Sequence, residues 1–303
     1  MKCTKNCQRK GILGFKDILS IKRIFVRIHF MKNKGYIYIL ITVFLWSTGG
    51  ILIKYTSGNA IAINGIRSLV ALGLFYLYKR GLKIKINRYV ILAAFCLMMT
   101  NTLYVIANKM TTAANAIVLQ YLAPIFVLLW DCIYHKRLPS LKQFILVLMA
   151  FSGMVLFFFD QLDGGKLIGN CLAICAGLCF SGVFFVNSLP ESSSEDASML
   201  GFLLSFIVAI PFLNQMDYTN TVSNIALLAL GIFQVGLAYV FFSKGSKMTN
   251  PVTTSLIGLL EAVMNPIWVF LFYGETMGTY ALMGSAVIIF SVALNTIWTA
   301  KEA

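Results

Sequence analysis

Long apolar runs separated by short polar joints make up most of this chain. Ten of them are long enough, or nearly so, to cross about 30 Å of hydrocarbon as helices. They lie at 36–53, 60–78, 89–108, 112–133, 142–159, 167–188, 197–213, 223–243, 252–272 and 279–298. None shows the period-two alternation of a membrane barrel. The pattern predicts an all-α polytopic membrane protein with ten transmembrane helices.

Composition supports this class. Of the 303 residues, 59% are hydrophobic and 12% charged, with a mean hydropathy of +0.81. A soluble domain carries about 25% charged residues. The net charge of +14 is gathered in the joints. Basic blocks precede the first run (Lys2 to Lys34), separate the second from the third (Lys79, Arg80, Lys83, Lys85, Arg88) and follow the fourth (Lys136, Arg137, Lys142). With ten spans these fall on one side together with Lys301. Lys54, Lys109 and Lys166 stand singly on the other. The positive-inside rule then places both termini in the cytoplasm, with the chain crossing the cell membrane many times. Glu191, Glu195 and Asp196 interrupt the basic side, but acidic residues carry little weight in that rule. No basic groove alternates with stacking aromatics, so nucleic acid is not an expected partner.

Residues 1–34 form a basic extension. "GILGFKDILSIKRIFVRIHF" suits an amphipathic helix lying on an anionic leaflet, and it is too interrupted by charge for a secretory signal. Met31 offers a second starting point for translation, just before the first run.

Self-comparison gives the strongest internal signal. "NKMTTA" (Asn108–Ala113) returns as "SKMTNP" (Ser246–Pro251), at an offset that lays Ala123–Pro124 over Glu261–Ala262. "GYIYILITVFLWS" (Gly35–Ser47) lies over "GNCLAICAGLCFS" (Gly169–Ser181), matching Gly35 with Gly169 and Ser47 with Ser181. Residues 35–160 are thus expected to be copied as 161–303, five helices each. Because five is odd, the second copy is inverted. Inverted repeats characterise secondary transporters, whose substrate site lies between the halves near the midplane. The expected motion is a rocking of one half against the other.

"FLWSTGGILIKY" (Phe44–Tyr55), "YVIANKMTTAANAIVLQYLAPIFVLLW" (Tyr104–Trp130) and "SKMTNPVTTSLIGLLEAVMNPIWVFLFYGE" (Ser246–Glu275) resemble the EamA-type family of the drug/metabolite transporter superfamily. The resemblance covers about residues 32–300. It implies ten helices in two five-helix halves, a site lined by spans one, three, four, six, eight and nine, and movement of amino acids, other metabolites or drugs, often outward. Two positions depart from the family pattern. Lys136-Arg137 stands where a Gly-Glu pair is frequent, and Ala262 stands where proline often follows the glutamate of the ninth span.

Glu261 is the sharpest functional candidate. A charge at the bilayer centre costs roughly 2.5–3.5 kcal/mol on insertion scales, so it needs a partner, a proton or a task. It either exchanges a proton for substrate or bonds structurally to a neighbouring helix. Asn265 shares its face and either binds substrate or joins helices. Arg67 is the other intramembrane charge, expected to snorkel or pair as a structural group, with contact to an anionic substrate group as the alternative. Asn101, Tyr104, Gln120 and Tyr121 offer polar tips on the third and fourth runs, with Trp46, Phe180 and Tyr239 as aromatic walls. Pro124 and Pro266 interrupt helical hydrogen bonding. Asp131 and Glu275 sit near span ends, where solvated or interfacial roles are expected.

Cys171, Cys175 and Cys179 recur every fourth residue without a histidine or carboxylate among them. The stripe suits helix packing rather than a metal site. No phosphate-binding G-x-x-x-x-G-K-[ST] or H-E-x-x-H sequence occurs, so ATP coupling and zinc hydrolysis are not expected, and no cofactor is implied. The resulting reading is a non-enzymatic carrier whose partners are a small-molecule substrate, the bilayer and protons, with a second copy of the chain as a candidate partner. The alternative is a membrane-embedded binding or signalling protein without transport. The topology predicts that a reporter fused after Ala303 fluoresces when it is a cytoplasmic fluorophore. A phosphatase requiring export is expected to stay inactive at the same position.

Overall fold

The computed structural model describes residues 34–81, 83–111, 113–159, 162, 167–273 and 278–301. The basic extension, with Met31, and Glu275 lie outside them. Polar caps start the helices where each apolar run begins. The side chains of Asn59, Asn87, Ser140, Ser193, Asn220 and Asn250 each accept from a backbone N–H in the first turn of the helix that follows. Each satisfies a donor that the helix itself leaves orphaned. Twelve helices result. These are α1 (Lys34–Ile53), α2 (Ala60–Lys79), α3 (Arg88–Met110), α4 (Ala113–Gln120), α5 (Ala123–His135), α6 (Leu141–Phe157) and α7 (Leu167–Ser188). They are followed by α8 (Ser194–Ala209), α9 (Thr221–Gly245), α10 (Pro251–Gly258), α11 (Leu260–Tyr273) and α12 (Thr279–Lys301). There is no strand among the described residues.

Among the described residues, eight stretches are long and apolar enough to cross a membrane: α1, α2, α3, Asn115–His135, α7, Ser194–Gln215, α9 and α12. Leu141–Phe157 and Pro251–Met264 are apolar but shorter. The chain is therefore an all-helical, multi-pass membrane protein.

Five runs depart from continuous α-helix among the described residues; the first turns at Thr48 and the seventh ends in a 3-10 segment, Ile210–Gln215. The fourth breaks at Tyr121–Leu122, before Pro124 in the first turn of α5. Proline there lacks an N–H and crowds the carbonyl four residues back, that of Gln120. The ninth breaks at Leu259, 138 residues after Tyr121, although Ala262 stands at the position equivalent to Pro124. The missing proline therefore does not abolish the break. Tertiary packing holds it, with Gly258 facing the Phe184 ring so closely that an added Cβ lies 3.3 Å from Cζ. Within α9, Leu230–Leu237 widens to a π-helical turn.

α2 and α8 run antiparallel. Asn59, capping the start of α2, donates to Gln215 Oε1 beyond the end of α8 at 2.6 Å. At the other end Lys79 forms an ion pair with Asp196, in the first turn of α8. Extensive helix pairings also join the stretch 35–160 to the stretch 161–303: α3 with α7 and α8, α2 with α8, and α6 with α12. Small residues permit the approach. Gly182 faces Cys96, Gly201 faces Leu97, Gly65 faces Ala209, and Gly153 meets Gly284.

The cysteine stripe also differs from expectation. Cys171 and Cys175 are exposed, and α7 packs instead through Gly169, Ala173, Ala176 and Gly177. The glycine–alanine face admits a neighbouring backbone more closely than thiols do. Asp131 is a second correction. It is buried and accepts from Arg137 at 2.9 Å, with His135 Nδ1 at 3.2 Å. Arg137 thus supplies its counter-charge.

A Cβ at position 177 would lie 2.7 Å from the Gln120 carbonyl oxygen and 3.0 Å from that of Leu119. Gly177→Ala is expected to destabilise the protein by about 1–3 kcal/mol through overpacking, read as thermal unfolding in detergent. Gly73→Ala meets nothing within 4 Å and is expected to cause no loss.

Candidate functional site

The two helix breaks meet. Tyr121, in the α4–α5 break, donates its hydroxyl to Glu261 Oε2 at 3.1 Å. Glu261 lies in the first turn of α11, where the helix dipole favours a negative charge by about 0.3–1 kcal/mol. The break thus places this carboxylate in the first turn of α11, within reach of a phenolic donor.

Arg67 belongs to the same cluster. Its Nε and Nη2 donate to Asn64 Oδ1 at 3.1 and 2.8 Å, and its Nη1 donates to Gln234 Oε1 at 3.2 Å. Gln234 sits in the π-helical turn of α9, which Gly231 lets approach α2. An added Cβ there would come within 3.0 Å of the Arg67 carbonyl. The guanidinium lies within electrostatic reach of Tyr239, Glu261 and Tyr104. Two amides therefore hold it, in place of the snorkelling or direct pairing expected from sequence. No ion pair joins it to Glu261 among the described residues.

Aromatic rings close the cluster on one side. Trp46 packs against Tyr239 at 5.4 Å between centroids, Phe242 at 5.7 Å, Phe180 at 6.1 Å and Phe184 at 6.5 Å. Tilted and edge-on contacts of this kind suit the ring quadrupoles. Trp46, Phe180 and Tyr239 are all buried, as is Tyr121.

Of the residues singled out from sequence, Trp46, Tyr104, Tyr121, Phe180, Tyr239 and Glu261 converge, and Arg67 joins them. Asn101, one turn before Tyr104, and Gln120, beside the break, are half-buried. Neither bonds to the cluster among the described residues. The Asn265 side chain lies outside the described residues. Asn64 and Gln234 were missed. Asn64 lies one turn from Arg67 on α2, a local signal that sequence carries. Gln234 comes from a distant helix, so only folding reveals it.

The family model of EamA-like transporters matches this chain twice, over residues 33–159 and 167–297. The chain belongs to the EamA-like transporter family. Two relatives from Archaeoglobus fulgidus, each named only as an uncharacterized transporter, are similar to it. One is 25% identical over 286 residues, covering 88% of this chain and 98% of its own length. The other is 21% identical over 263 residues, covering 84% and 94%. A solved crystal structure has the same fold, with a TM-score of 0.77 at 15% identity over 88% of this chain and 98% of its own. This EamA-like protein is accordingly a membrane transporter.

Tyr121→Phe and Glu261→Gln are expected to be non-additive. A double-mutant cycle on unfolding in detergent should give a coupling of about 0.5–1.5 kcal/mol, the contribution of one hydrogen bond.

Proposed function

We propose that this protein is a secondary carrier that exports a small organic solute, an amino acid, related metabolite or drug, across the cytoplasmic membrane by alternating access. In this reading α6 and the α10–α11 pair also span, giving ten crossings in two inverted five-helix halves with both termini cytoplasmic. The observation that carries the proposal is the Tyr121–Glu261 hydrogen bond between helix breaks 138 residues apart. Discontinuous helices at a repeat interface are where secondary carriers bind substrate, because free backbone groups there can face a ligand. The antiparallel run of α2 and α8 supports the inversion, since these are the second helices of the two copies.

The site comprises Trp46, Tyr104, Tyr121, Phe180, Tyr239 and Glu261, with Asn101, Gln120 and Asn265 beside it and Arg67 as its fixed positive charge. Glu261 carries the coupling proton: uptake of a proton removes the charge that Tyr121 and the helix dipole stabilise, and substrate binding favours its release. Because the copies interleave, the moving bodies are packed pairs that take one helix from each half.

The test compares metabolites released by cells producing the wild type, Glu261→Gln or an empty vector, at matched membrane levels. A compound released by the wild type and reduced at least about tenfold by Glu261→Gln is expected, with release sensitive to collapse of the proton gradient. Release insensitive to both changes removes Glu261 from coupling. Absence of flux in reconstituted vesicles for every compound that wild-type cells release overturns the carrier reading.

A further inference from the structure

Two hydrogen bonds join the copies through equivalent residues. Trp268 Nε1 donates to Ser47 Oγ at 2.9 Å, and Trp130 Nε1 donates to Ser181 Oγ at 3.0 Å. The tryptophans are 138 residues apart, the offset that lays "NKMTTA" over "SKMTNP". The serines are 134 apart, the offset that matches Gly35 with Gly169. Each bond runs from one copy to the other, in opposite senses.

The local chemistry is repeated as well. Ser47 Oγ donates to the Phe44 carbonyl at 2.7 Å and Ser181 Oγ to that of Leu178 at 2.6 Å. A hydroxyl has one proton, so each serine is left as an acceptor, and an indole is a donor only. Both serines have no exposed surface. Trp130 is 37% exposed and Trp268 half-buried, so an indole that loses its serine regains a partner only where water reaches it.

Their placement relative to Glu261 follows from neighbouring contacts. α1 runs beside α10 and α11 in the same direction, Gly35 abutting Met248 and Thr249 while Ser47 meets Trp268. α7 runs beside α4 and α5 likewise, Gly169 abutting Met110 and Thr111 while Ser181 meets Trp130. Trp268 is seven residues past Glu261, about 10 Å along the helix, and Trp130 is nine past Tyr121, about 13 Å. With the copies inverted, the two bonds lie on opposite sides of the Tyr121–Glu261 layer.

We infer that Trp268–Ser47 and Trp130–Ser181 are the paired gates of this carrier, one on each face of the site, parting in turn during transport. The inference rests on the carrier reading above. Both bonds are formed in the structure, which therefore has both gates shut. Trp268–Ser47 lies towards the outer face and Trp130–Ser181 towards the cytoplasm.

Sided labelling of a reporter thiol tests this without knowledge of the substrate. In the full-length chain the seven native cysteines are replaced and Gln120→Cys is introduced. A membrane-impermeant maleimide is applied to intact cells and to inside-out vesicles. Trp268→Phe removes one indole donor and is expected to raise labelling from one face by about two- to tenfold, the population shift of one lost hydrogen bond, while lowering it from the other. Trp130→Phe is expected to do the reverse. Ser47→Ala and Ser181→Ala repeat the comparison without changing a ring, should a tryptophan variant fail to reach the membrane. Shifts towards the same face, rates unmoved in both variants, or a thiol unlabelled from either face in every form overturn the gates. Failure of the carrier reading shows separately, as absent flux in reconstituted vesicles.

Discussion

A carboxylate embedded among apolar helices must be satisfied where it stands, and the arrangement around Glu261 follows from that constraint. The helix that carries it is interrupted two residues earlier, at Leu259, so that its first turn holds the charge. A second interruption, in the equivalent helix of the first copy, delivers the Tyr121 hydroxyl. Arg67 is near enough to act electrostatically, yet three of its five N–H donors go to Asn64 and Gln234. The positive charge is thus anchored by neutral amides, and Glu261 is not locked into a direct salt bridge. Glu261 thus avoids the constraint of a tight buried ion pair, which is strongly destabilised when either partner changes.

Close packing of distant helices is the second organising feature. Glycine and alanine faces bring α3 against α7 and α8, and α6 against α12. With no hydrophobic driving force between helices in lipid, this close backbone approach is the main source of cohesion. Other links are single hydrogen bonds between larger side chains: Trp268 to Ser47, Trp130 to Ser181 and Tyr121 to Glu261.

The number and position of apolar runs, the internal repeat, the basic joints and most of the aromatic and polar residues of the cluster were legible in the chain alone. These depend on local composition and on spacing, which sequence records directly. Glu261 stood out because its charge has no local reason to lie in an apolar run. The breaks were only half legible. Pro124 announces one, but Ala262 conceals the other, which is held by packing of Gly258 against Phe184.

Sequence by itself therefore determined the helical membrane class, the repeat and the polar residues that must find partners. The tertiary structure decided who those partners are. Gln234 reaches Arg67 from 167 residues away, Tyr121 reaches Glu261 from 140, and Trp268 reaches Ser47 from 221. It also decided that Asp131 is buried and paired with Arg137, that Cys171 and Cys175 face outward, and that α3 packs against both α7 and α8. The physical reason is common to all of these. A buried polar group obliges the chain to supply a complement, but which distant residue supplies it depends on how closely small-residue helix faces can pack.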